Sequence, residues 1–436
     1  MIKRGISMLI LIAAGIGFCQ TNWTKYLNNP VMTKDTTLAG IWEWAGIGQP
    51  TCVFENDTTK MYYAAAGVAY IGDSILRGRI SYAYSTDSVD WIKRDPPMPV
   101  LDVGSPGAWD SRWLDTPAII HDNNGYKLYY YGDSLSVVYS AIGMATSTNG
   151  ISWTKDPANP VLEKGELMGW DGFWVESPAV LYDSVSDLYE MWYTGVGYGP
   201  GLPSDLRISI GRATSGDGSI WIKDTLHNPV LDVGAPGSFD DGWVSVPGVR
   251  KTGGIYEMWY VGASIADYAA DSTLDTSRVG YATSTDGINW IKYGGNPVLS
   301  TFDPPVDTGG PWAPDVVFDG TAYKMLYEAV GGICLASAPA SLISENRNST
   351  LLRAVVGPTI FSRAVTIRWP LTLTSSVHAT IYNSAGQRVR SIVFNATKPF
   401  TWHGEDDTGS RLPGGIYFVT LRAGDMSTAA KCILLR

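Results

Sequence analysis

The sequence predicts an all-β protein: a five-bladed β-propeller followed by a small β-sandwich. Three observations predict it. A frame written "WTKYLNNPV", "WIKRDPPMPV", "WTKDPANPV", "WIKDTLHNPV" and "WIKYGGNPV" starts at Trp23, Trp91, Trp153, Trp221 and Trp290, 62 to 69 residues apart. Each copy is followed by a proline-centred segment (Pro50, Pro117, Pro178, Pro247, Pro314) and by an aromatic run: "KMYYA", "KLYYY", "EMWYT", "EMWYV" or "KMLYE". Beyond about Glu345 the frame stops, and shorter alternating runs separated by Gly- and Asp-rich turns take over. Short β-branched and aromatic runs bounded by turn residues read as strands, and four of them per repeat are the signature of a propeller blade.

The elements follow in chain order. Lys3 and Arg4 precede an apolar stretch from Ile6 to Phe18, the pattern of a signal peptide (residues 1–19) and too short to span a membrane stably. A secreted or cell-surface protein is expected, with no membrane span after signal removal. Phe18 before Cys19 is too bulky for the small residue usual in a lipoprotein signal. The propeller is expected over 23–340. Its first W-x-K segment, Trp23 to Val31, has no strands before it, and the last repeat ends near Ala336 without such a segment; the N-terminal strand is therefore expected to complete the fifth blade and cover its open edge. A linker (341–350) leads to a sandwich over 351–436, with turns at "NSAGQ", "EDDTG" and "LPGG".

Composition limits the function. The 436 residues are 45% apolar, enough for at least one large core. A formal charge of -10 argues against nucleic acid as partner, which needs a basic face. Aromatic residues make up 12% of the chain, and they suit β cores or flat ligands such as sugar rings. Cys52, Cys334 and Cys432 are too few for a disulfide framework in so long a chain and read as buried thiols. No C-x-x-C or H-E-x-x-H spacing occurs and the four His are scattered, so neither a zinc site nor a cofactor is expected; a structural calcium is left open.

The repeats serve as their own control. A residue type shared by all blades is scaffold, and one that varies is free to be function. Seven places before the proline stand Glu43, Asp110, Asp171, Asp240 and Asp307, read as turn or hydrogen-bonding residues. Trp113, Trp174 and Trp243 four before, with Trp42, Trp109 and Trp170 eight before, read as packing. Two places before the proline the blades differ most: Gly48, Asp115, Glu176, Ser245 and Trp312. One place before, they carry Gln49, Thr116, Ser177, Val246 and Ala313. If the proline segments are the innermost strands, these side chains meet at the mouth of the central channel, where two carboxylates and an aromatic platform make a ligand site. Glu328 is an acid where other blades have Ala64, Tyr131, Thr194 and Val261, and Arg79 and Arg278 stand at matching places after long loops, able to brace those loops or reach a ligand.

The frame "WD…P…YEMWYTG" and the "ATSTDG" turns, over Trp23 to about Ser337, resemble the five-bladed glycosidases of the arabinanase, levansucrase and invertase superfamily, including glycoside hydrolase families 32 and 43 and the family 130 phosphorylases. The resemblance implies a glycoside hydrolase acting on a poly- or oligosaccharide, with Glu176 in "VESPAV" as general acid and Asp115 in "LDTPAI" as base or pKa-setting partner. Trp312, Gln49, Ser245, Glu328, Arg79 and Arg278 are the candidate substrate-binding residues. One element departs from the family: "GIGQPTCVF" has Gln49 before Pro50, where the resemblance calls for an Asp. An amide neither takes a proton nor attacks an anomeric carbon, which keeps open a non-catalytic glycan-binding or surface-interaction propeller. The tail resembles the Ig-like domain related to the flagellar hook-capping protein and used as a type IX secretion sorting tail, through Ile381-Tyr382-Asn383, Trp402, Gly404, Asp407, Gly409, Gly414-Gly415-Ile416-Tyr417-Phe418 and "KCILLR". That resemblance implies an address or anchor read by secretion machinery, carrying no chemistry of its own.

Overall fold

Each repeat folds into one four-stranded antiparallel sheet. The computed structural model describes residues 21–37, 41–68, 74–95, 98–134, 140–184, 186–199, 206–266, 277–301, 309–329, 331–339, 355–357, 360–368, 376–383, 387–395, 398–423 and 426–435. The expected signal peptide and the 341–350 linker lie outside the described residues. The chain divides into two units, Met1–Leu342 and Ile343–Arg436.

In the first unit the proline segments are the inner strands: Gly46–Glu55, Trp113–Asp122, Trp174–Asp183, Trp243–Thr252 and Trp312–Phe318. The aromatic runs form the second strands (Thr58–Gly67, Gly125–Asp133, Leu188–Tyr198, Ile255–Ala263, Ala322–Ala329), and third strands and a two-residue outer strand follow. Inner strands of successive blades pack side by side, and the fifth packs against the first, closing a ring. The outer strand of the fifth blade is Thr24–Lys25, with Thr24 opposite Ser337. The N-terminal strand does complete the last blade.

The repeated motifs explain themselves in this geometry. Four of the five W-x-K tryptophans pack edge-on against an aromatic ring of the preceding blade, Trp153 on Tyr62 at 5.6 Å, Trp221 on Tyr129 at 5.6 Å, Trp290 on Trp192 at 6.0 Å and Trp23 on Trp259 at 6.1 Å between centroids, while Trp91 joins the cluster that holds Leu326. The serine of the "STDG" turns accepts the N–H three residues on, at 2.8 or 2.9 Å from Ser85, Ser147, Ser215 and Ser284, closing the hairpin before the outer strand. The asparagine of N-P-V pairs with the third strand as though it were backbone: Asn159 Oδ1 accepts the Met144 N–H at 2.7 Å while its Nδ2 donates to Met144 O at 2.8 Å.

The acid seven places before the proline does more than the expected capping of local backbone donors. Asp110, Asp171 and Asp240 are buried and accept from the W-x-K lysine of their own blade, Lys155, Lys223 and Lys292, at 2.5 to 2.6 Å, and Glu43 takes Lys93 in the same way. A tyrosine from each aromatic run, Tyr63, Tyr130, Tyr193 or Tyr260, donates to the same carboxylate. One acid thereby ties the loop before the inner strand to the second strand and to the outer strand. Asp307 lies outside the described residues.

The second unit has a three-stranded sheet (Val355–Gly357, Val365–Arg368, Phe400–Trp402) and a five-stranded one built on Gly415–Ala423 and Ser376–Asn383. Ile367, Ile381, Trp402, Val419 and Leu421 form its core. In "EDDTG" the Asp406 carboxylate accepts the N–H groups of Thr408 and Ser410, both at 2.9 Å; at "LPGG" the Tyr417 hydroxyl donates to Pro413 O at 2.7 Å. Residues 384–386 of "NSAGQ" lie outside the described residues. Cys52, Cys334 and Cys432 are buried free thiols. Among the described residues no helix is long and apolar enough to cross a membrane.

Removing one of the buried acids strands two polar groups. Asp171→Ala leaves the Lys223 ammonium and the Tyr193 hydroxyl without their shared acceptor. It is expected to cost about 3 kcal/mol in urea denaturation, against less than about 0.5 kcal/mol for a control such as Asp90→Ala at an exposed position.

Candidate active site at the channel mouth

The site is built on a bulge repeated five times. In every inner strand the pairing register breaks between the residue two before the proline and the residue one after it: Gly48/Thr51, Asp115/Ala118, Glu176/Ala179, Ser245/Gly248 and Trp312/Asp315. The residue between, Gln49, Thr116, Ser177, Val246 or Ala313, has φ from +39° to +51° although none is glycine. Left-handed backbone at a non-glycine residue costs about 1–3 kcal/mol and persists where its surroundings over-determine it. The proline that follows has no N–H, so each bulge leaves one donor to satisfy, at the left-handed residue. In the first four blades a side chain of the neighbouring blade satisfies it. Thr116 N–H donates to Gln49 Oε1 at 2.8 Å, Ser177 N–H to Thr116 Oγ1 at 3.2 Å, Val246 N–H to Thr194 Oγ1 at 2.8 Å and Gln49 N–H to Glu328 Oε2 at 3.1 Å.

The bulge sets where the variable side chains go. Asp115, half-buried, accepts from Trp113 Nε1 at 2.9 Å on Oδ2 and from the Thr116 N–H at 2.9 Å on Oδ1, and the Gln49 amide also reaches it. Burial pushes its pKa up to about 6, against the pull of those hydrogen bonds and with a smaller push from Asp133. Glu176, on the next blade, is pushed up to about 7, first by burial and then by the charge of Asp115. Two adjacent blades thus hold two carboxyls whose proton affinities are coupled and lie near neutrality.

Two clefts open at the mouth; Asp115 lines the smaller of them and Glu176 lines neither. One, of about 580 Å³, is lined by Gln49, Trp312, Glu328 and Lys34; the other, of about 150 Å³, by Gln49, Trp113, Asp115 and Glu328. Trp312 is half-buried, its ring 5.5 Å from that of Trp243 and tilted 58° to it. Deeper in the channel a cavity of about 230 Å³ is walled by the five prolines and the residues after them.

Of the expected substrate-binding residues, Trp312, Gln49 and Glu328 therefore come together with Asp115. Three others do not behave as expected. Ser245 is 2% exposed and its Oγ has no hydrogen-bond partner, so it is packed beneath the mouth rather than presented to it. Arg79 is 1% exposed, donates to Asp102 Oδ1 at 2.7 Å and Gly67 O at 3.5 Å, and lies over the Trp42 ring; it ties the end of the second strand to the segment after the outer strand and lines neither cleft. Arg278, half-buried at the start of the strand Arg278–Ser284 and opposite Gly262, lines neither cleft. Gln49 itself is committed at both ends of its amide, to Thr116 and to Asp115.

Two participants escaped the sequence reading. Asp315, one place after its proline, lines the deeper cavity; its Oδ2 accepts the Cys52 N–H at 2.6 Å across the seam between the last and first blades, and burial pushes its pKa up to about 7. Overlaying the repeats one place further on would have found it, since the other blades carry Thr51, Ala118, Ala179 and Gly248 there. Trp113, read as packing, is a hydrogen-bond donor to the site.

Solved structures with this arrangement of sheets include a glycosyl hydrolase from Bacteroides ovatus (18% identity, TM-score 0.56, covering 73% of this chain and 94% of that one). A thermostable family-43 glycoside hydrolase (19%, 0.51, covering 67% and 89%) and a β-1,2-mannobiose phosphorylase from Listeria innocua (13%, 0.55, covering 74% and 98%) share it too. The fold is that of the propeller glycosidases. Residues 357–427 match the FlgD Ig-like domain. An uncharacterized protein found in two strains of Mycobacterium tuberculosis is 30% identical over 204 residues, 46% of this chain. The chain spans 61% of the length of those curated relatives.

The raised carboxyl has a stability signature. Well below the ordinary glutamate value of 4.5, Glu176 is protonated whether the chain is folded or not. Between there and about 7 the unfolded chain loses the proton first, so stability falls as pH rises and then levels off. Glu176→Gln is expected to exceed the wild type in unfolding free energy by about 2 kcal/mol at pH 8 and to match it near pH 4, read by denaturation at the two pH values.

Proposed function

We propose that the protein is a secreted glycoside hydrolase that cleaves a poly- or oligosaccharide at the mouth of the propeller channel. The observation that carries the reading is Glu176, a carboxyl whose pKa is pushed up to about 7 by burial and by Asp115 on the adjacent blade. Glycosidic cleavage needs a group that is still protonated near neutrality to protonate the leaving oxygen, and the raised carboxyl of Glu176 supplies one. Glu176 is the general acid, Asp115 sets its proton affinity, and Trp312 offers a sugar ring its flat face. The propeller glycosidases of like fold support the substrate class. For the second unit, its match to the FlgD Ig-like domain and the signal-like N-terminus support export, with this domain serving as the sorting or anchoring element and secretion machinery as its partner.

Gln49 favours a second reading, a propeller that holds glycans without cutting them. Reducing-sugar release from a panel of plant and microbial polysaccharides separates the two. Hydrolysis expects release by the wild type and at least about a 10²-fold loss in Glu176→Gln; retention on an immobilised glycan with no release from any polysaccharide gives the second reading, and there Trp312→Ala is the substitution that abolishes retention.

The pH profile tests the assignment of roles. The alkaline limb of kcat is expected near pH 7, where Glu176 loses its proton. Because the Asp115 charge is one of the causes of that value, Asp115→Asn is expected to move the limb to lower pH; an unmoved limb would assign it to another group.

A further inference from the structure

With Glu176 as general acid and Asp115 setting its proton affinity, the second catalytic carboxylate is unassigned; Gln49 is an amide, and the fifth blade brings an acid up against it. Gly48 is the one glycine among the five residues two before the prolines. A Cβ there would overlap the carboxyl carbon and both oxygens of Glu328. Glu328 is in turn the one acid among the five residues that pair with those positions, the others being Ala64, Tyr131, Thr194 and Val261. Two departures from the repeat therefore fit each other: one blade gives up a side chain, and the carboxylate of its neighbour fills the space.

The position also has a scaffold use. Thr194, its counterpart in the third blade, caps the Val246 bulge with a hydroxyl, and Glu328 Oε2 caps the Gln49 bulge in the same manner. A hydroxyl suffices for that cap. A carboxylate adds a charge and a second oxygen, and Glu328 borders both mouth clefts, with Trp312 in one and with Asp115 and Trp113 in the other. The Gln49 N–H donated to its Oε2 is a bond that a carboxylate accepts more strongly than a neutral carboxyl does.

We propose that Glu328 is the ionised carboxylate of the reaction, standing in from the fifth blade for the acid that the first blade lacks. The proposal rests on the hydrolytic reading above. Glu328 takes a proton from water, the water oxygen bonds to the anomeric carbon, and the glycosidic C–O bond breaks with its electron pair going to the leaving oxygen. Glu176 delivers a proton to that oxygen. Water is consumed, two hydroxyl products form, and the two carboxyls exchange protonation states until solvent resets them.

The test uses the full chain and two classes of substrate: a cleaved oligosaccharide, and 2,4-dinitrophenyl glycosides, whose leaving group departs without protonation. Glu328→Gln is expected to lower kcat at least about 10²-fold on both classes, Glu328→Asp to retain part of it, and Glu176→Gln to fail on the oligosaccharide while keeping the dinitrophenyl substrates. Gly48→Ala, which removes no carboxyl and displaces that of Glu328, is expected to fall with Glu328→Gln; it decides the matter if Glu328→Gln melts early. Wild-type kcat in a folded Glu328→Gln or Gly48→Ala, beside an impaired Glu176→Gln, overturns the role of Glu328 and leaves hydrolysis standing. No turnover by the wild type on either class overturns both.

Discussion

Everything at the channel mouth depends on a backbone conformation that its residues do not favour. Five consecutive inner strands hold the residue before a proline in the left-handed region, and the bulge there decides where the side chain just before it goes. In the first four blades the freed N–H is taken up by the preceding blade of the ring, so the conformation of one strand is underwritten by its neighbour. Gln49 shows how tightly function and support are interleaved. Its amide oxygen holds the bulge of the second blade while the same side chain reaches the carboxyl of Asp115.

Repetition divides labour between positions. The acid, lysine and tyrosine that tie each blade together recur because each blade must solve the same problem of holding its outer strand. The residue at the rim is exempt from that task, and there the blades diverge into glycine, two acids, serine and tryptophan. The ring brings these unlike residues together from places more than sixty residues apart in the chain.

Most of the architecture was legible because it is periodic. Blade number, strand order and the completion of the last blade by the first strand all follow from counting a repeated frame, and the tail from its turns. Asp115 and Glu176 were legible for the converse reason, as breaks in the period. What could not be read was direction and depth. Ser245 occupies the same repeat position as Glu176 and is nonetheless buried; it pairs with Val261, part of the apolar cluster on which Trp243 of its own blade and Trp312 of the next pack. Arg79 follows a long loop, as a ligand-reaching arginine would, but its partner Asp102 comes from the segment after its own outer strand. The pairing of Gly48 with Glu328 spans the seam of the ring, and two positions 280 residues apart carry no local sign of each other.

The seam also gives the chain a temporal order. Asn29 bonds to Leu335 across a sequence separation of 306, and the outer strand before it finds its edge only on the strand Gly332–Pro339. Four blades are complete in themselves once their own residues are present, whereas the fifth has its first strand made earliest and its remaining three made last. The ring therefore stays open through nearly all of the propeller's length and shuts in one late event of high contact order. Gly48, Gln49 and Glu328 sit at that seam, so the mouth takes its final form in the same step that makes the ring whole.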